Sequence, residues 1–162
     1  TAGAVYGAHV ARKKKSFRNE EEYIAACQRE AIKAREVAHT EADRLKSEFV
    51  QLQDETWLLA ELKRNDVQLT TASVEVQVEP PVEVATRTLL ATLETEEKAA
   101  DKAQEAVEKE LAEQRIALSQ VNRANPTAIQ FEAEIQRLEI ARESLAREAA
   151  QLRELRTSMT QT

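Results

Sequence analysis

Residues 19–65, NEEEYIAACQREAIKAREVAHTEADRLKSEFVQLQDETWLLAELKRN, decide the fold. Ile24, Ala31, Ala38, Leu45, Leu52 and Leu59 recur at every seventh place, with Cys27, Ala34, Ala42, Phe49 and Leu62 between them. Seven residues are close to two turns of helix, so this spacing lines the apolar side chains along one seam. Neither Gly nor Pro interrupts the stretch. Asn19 is placed to cap the helix, and Glu20, Glu21 and Glu22 suit the positive end of its dipole. The spacing predicts one helix over 19–65, roughly 70 Å long at ~1.5 Å per residue. A single helix of that length cannot bury its seam against itself and needs partners.

One part of this helix carries more apolar material than a single seam uses. Phe49, Val50, Leu52, Trp57, Leu58, Leu59 and Leu62 crowd into four turns. Two accounts compete: helices later in the chain cover a wide face, or the residues dock another subunit through Trp57.

Moving outward, residues 66–83 change character. Val74, Val76 and Val78 alternate with Glu75, Gln77 and Glu79, a period of two in β-branched residues, before Pro80-Pro81. This reads as a short strand or extended linker. A hairpin of that size is marginal alone, so the valine face calls for a helix or another chain's strand.

Residues 84–162 return to helix. Leu90, Leu93, Ala100, Ala103, Val107, Leu111, Leu118 and Val121 form a stripe that Glu97, Gln104 and Gln114 break. A second stripe runs through Phe131, Leu138, Leu145, Leu152 and Met159, supported by Ile135, Ala141, Ala149 and Leu155. Asn125-Pro126 between them is a helix-start signal, Asn capping and Pro at the first helical position. A stop and restart so close together predicts an antiparallel helical hairpin; the alternative is one helix kinked at Pro126.

On the other side of the decisive stretch, residues 1–18 hold Arg12, Lys13, Lys14, Lys15 and Arg18 and no acid. The remainder holds 18 basic and 29 acidic residues, which makes a basic arm on an acidic rod. Thr1–Val10 is small and mildly apolar, too short for a signal sequence with its own cleavage site. It fits either the remainder of a removed segment or a mature start.

Composition agrees. The 162 residues include 27 Ala, 25 Glu, 15 Leu and 23 Lys plus Arg, over half the chain, as long-helix proteins do. Gly3 and Gly7 are the only glycines, so no phosphate-cradling loop can form after them. The fold class expected is mostly α, with elongated coiled-coil-like helices.

Chemistry finds little to work with. His9, His39 and Cys27 fall at no metal-ligand spacing, and the glutamates, interspersed with lysines, read as a solvated face. No cofactor, catalytic centre or small-molecule substrate is expected. A lone cysteine rules out an internal disulfide and leans toward a reducing intracellular compartment or a virion. No run is long and apolar enough for a membrane span.

The function expected is that of a non-catalytic structural or adaptor subunit of a larger multi-protein assembly, such as a stalk, connector or virion component. Its partners would be other subunits and further copies of itself. Phe49, Val50, Leu52, Trp57, Leu58, Leu59 and Leu62 would form the interface, with Val74, Val76 and Val78 available for strand addition. The alternative is an oligomeric binding module whose arm, Arg12 to Arg18, contacts nucleic acid or an anionic membrane.

Overall fold

The computed structural model describes residues 19–69 and 81–161. They form three helices: α1, Glu20–Leu69; α2, Pro81–Gln120; and α3, Thr127–Thr160. The basic arm and the valine segment around Val74, Val76 and Val78 lie outside the described residues.

The start of α1 follows its local chemistry. Asn19 Oδ1 accepts a hydrogen bond from the Glu22 backbone N–H at 2.8 Å, satisfying one of the free donors of the first turn. At the other end the helix runs four residues past the expected limit of 65, to Leu69. Asn and Asp are only mediocre helix formers, so Asn65-Asp66 does not stop a helix already propagating. Similarly, α2 begins at Pro81 rather than Val84. Pro81 sits where its missing N–H costs nothing, so this proline opens a helix. The linker expected over 66–83 is therefore shorter than its sequence pattern implied.

Side-chain pairs fix how the helices are arranged. Gln114 Nε2 donates to the Cys27 carbonyl at 2.9 Å, and Arg44 meets Glu96 at 2.8 Å, so α1 and α2 run antiparallel. Arg115–Glu139 and Arg153–Asp101 make α2 and α3 antiparallel. Arg35–Glu134 at 3.0 Å and the Thr56–Met159 contact at 3.5 Å leave α1 and α3 parallel. All three pairs of helices pack against each other. The result is an up-down-up bundle, and the second half of the chain is a hairpin, not one kinked helix. At its turn Asn125 Oδ1 accepts from the Thr127 N–H at 3.2 Å and hydroxyl at 2.9 Å, while Pro126 already has helical angles (φ −61°, ψ −18°).

The core is the axis between the three helices. Ile24, Ala31, Ala38, Leu45 and Leu52 of α1 are buried there, as are Leu93, Ala100, Val107 and Leu111 of α2. Phe131, Leu138, Leu145 and Leu152 complete it from α3. Leu89 is buried where the pattern pointed to Leu90, which is half-buried. Alanine is common in this axis, which lets the helices approach closely but limits the area each residue removes from water.

Candidate functional site

The crowded stretch of α1 divides between two faces. Leu52 is in the core, and Phe49 and Leu59 pack against it half-buried. Val50, Trp57, Leu58 and Leu62 are exposed, Trp57 most of all at 61%. Geometry explains the division. Two residues turn a helix by about 200°, so Val50 and Trp57 project nearly opposite to Leu52 and Leu59. Helices α2 and α3 cover the inner face and leave the outer one bare. Val74, Val76 and Val78, expected to offer a strand to a partner, lie outside the described residues, as do Arg12, Lys13, Lys14, Lys15 and Arg18.

Helix α1 also outruns its neighbours. Met159, near the end of α3, lies against Thr56, and the Arg44–Glu96 register brings the start of α2 level with about Leu59. Leu62, at this level, is 52% exposed. Where the three helices part, Thr56, Leu59, Ala60 and Lys63 of α1 line an open groove with Thr86 of α2 and Met159 of α3. The outer patch and this groove share one end of the bundle.

A second cluster occupies the opposite end, between α1 and α2. Tyr23 is fully buried, Cys27 nearly so, and Gln114 joins them from α2. The Gln114 amide that bonds the Cys27 carbonyl also donates to Glu110 Oε1 at 2.5 Å. Carboxylate oxygens of Glu30, Glu110 and Glu113 lie within 4.8 Å of one another. Burial raises the Tyr23 phenol well above its ordinary value of 10, and Cys27, Glu30 and Glu113 beside it add to the shift. Sequence spacing did not bring these groups together, because the convergence joins residues about 87 apart across two helices.

Other carboxylates are held in ion pairs. Glu97 is buried and meets Arg156 at 2.9 Å, and Glu134 is buried between Arg35 and Arg137. On the outer surface of α2, Glu94 pairs with Lys98 at 3.0 Å one turn on, which lowers its pKa. His39 is exposed on α1. Among the described residues no helix is long and apolar enough to cross a membrane.

No family model matches this chain, and no curated protein or solved structure is significantly similar to it.

Proposed function

We propose that the protein is a non-catalytic structural or adaptor subunit of a larger protein assembly, and that it docks a neighbouring subunit on the outer face of α1. The observation that carries this is Trp57, the single tryptophan of the chain, standing 61% exposed with Val50, Leu58 and Leu62 in the same turns. A large aromatic side chain left in water offers substantial apolar area to a partner, and Trp is a frequent anchor of protein interfaces. Among the described residues, neither α2 nor α3 covers this face. The α1 extension beyond α2 and α3 supports the same end of the bundle as the place of contact.

Sedimentation of a native extract tests the proposal. The wild-type chain is expected to travel with a large complex, and the variant carrying Trp57→Ser, Leu58→Ser and Leu62→Ser to stay near the top of the gradient with unchanged helical circular dichroism. Co-migration of the triple variant with the complex would rule the face out. A wild-type chain that sediments alone would rule out the assembly role.

A further inference from the structure

The outer face of α1 carries a charge pattern as well as an apolar one. Asp43, Val50, Trp57 and Arg64 recur at every seventh place, about 140° round the helix from Leu45, Leu52 and Leu59. All four are exposed. The order is acid, apolar, apolar, base. Turned end for end it becomes base, apolar, apolar, acid, so the stripe complements itself. Lys46 and Glu61 flank it in the same way, equally far from the midpoint between Gln53 and Asp54. Asp43 and Lys46 have no charged partner among the described residues. Glu61 and Arg64 pair with each other at 2.8 Å, but the Arg64 side chain is 68% exposed and keeps N–H groups turned to water.

We propose that the neighbour on this face is a second copy of the chain, its α1 laid antiparallel to the first about a twofold axis between Gln53 and Asp54. The inference rests on the outer face of α1 being a docking surface and names the partner. A twofold contact sets each residue opposite the one equally far beyond the axis. Val50 of one copy then meets Trp57 of the other, and this happens twice. Asp43 meets Arg64 and Lys46 meets Glu61, so each Glu61–Arg64 pair closes a four-charge network with the second copy. At the axis Gln53 faces Asp54, an amide against a carboxylate. A parallel pair in register would set Asp43 on Asp43 and Arg64 on Arg64, so charge selects the antiparallel arrangement. The seven-residue spacing keeps the contact on one stripe of two helices crossing at a small angle. The apolar centre is small and exposed ion pairs add little, so the association is weak and dilute chains are single.

Sedimentation equilibrium of the purified full-length chain at low salt provides the test. The wild type is expected to pass from monomer to dimer with a dissociation constant of roughly 10–100 µM, as suits a small interface. Asp43→Arg with Lys46→Glu sets like charges opposite each other at both ends of the contact, and should weaken the dimer by about tenfold or more. Glu61→Lys with Arg64→Glu should do the same. Mixed in equal amounts, the two variants again present opposite charges at both ends, and dimers of about wild-type strength are expected to return. Unchanged helical circular dichroism shows that each variant is folded. A wild-type chain that stays monomeric throughout that range overturns the proposal. So does either folded variant dimerising like wild type, or a folded mixture that stays monomeric. The adaptor reading fails separately: a monomeric chain still carried into the large complex of a native extract through Trp57 keeps the docking face and gives it a different protein as partner.

Discussion

At the residue scale, the contrast between Leu52 and Trp57 holds most of the information. They are five positions apart on one helix, yet Leu52 is 3% exposed and Trp57 61%. Leu52→Ala should cost about 2–5 kcal/mol, because it removes buried methyl groups and leaves a cavity that the close-packed axis cannot fully collapse. Trp57→Ala should move stability by no more than about 0.5 kcal/mol. Urea unfolding of the two variants, each compared with wild type, checks both values. A large loss for Trp57→Ala would mean that the outer face is packed in the free chain. The division was legible in principle from the sequence. The line through Leu45, Leu52 and Leu59 defines the inward direction, and Val50 and Trp57 lie about 140–160° from it. What the sequence did not show is which helices cover the inner face.

At the element scale, caps and breaks were more legible than lengths. Asn19 caps its helix as expected, whereas α3 begins at Thr127, one residue later than expected, with Pro126 at the cap position and the Asn125 side chain accepting from the Thr127 N–H. Asn19→Ala should destabilise the chain by about 1 kcal/mol, since the Glu22 N–H then loses its partner. The thermal midpoint of the variant measures this, and no shift would mean that the cap is redundant. Helix ends were harder to place because the apolar pattern reports burial, whereas the helix itself needs only backbone bonds. Thus α1 continues to Leu69 after its seam has ended. The polar breaks in α2 carry a related lesson. Gln114 falls in the series Leu93, Ala100, Val107, Val121 at a seven-residue step, and it is buried like the rest. The period was correct and the residue type misleading. The Gln114 NH2 group is satisfied inside, donating to the Cys27 carbonyl and to Glu110, while its Oε1 is buried without a hydrogen-bond partner. Glu97 is tolerated because Arg156 approaches it from α3.

At the scale of the whole molecule, the sequence supplied the number and kind of helices but not their mutual register. Register depends on pairs such as Arg35–Glu134 and Arg115–Glu139, which join residues far apart in the chain and leave no local signature. The exposed Arg115–Glu139 pair adds little stability, whereas Arg35–Glu134 is partly buried; both matter here as markers of which turn meets which. The same limit applies to the carboxylates of Glu30, Glu110 and Glu113, which looked like a solvated face until α1 and α2 were brought together.

One chain closes upon itself, so that inner faces are satisfied and the outer face of α1 stays available. Nitroxide labels at Val37→Cys and Ile140→Cys, in a Cys27→Ser chain, measure this directly. Both positions are exposed, and the parallel register of α1 and α3 sets them nearly level. Helices packed at about 8–10 Å between axes predict a label separation under roughly 25 Å, unchanged when labelled chains are diluted with unlabelled ones. A separation near 55 Å, as expected if α3 continued the line of α2 at ~1.5 Å per residue, would contradict the bundle. So would a short distance that disappears on dilution.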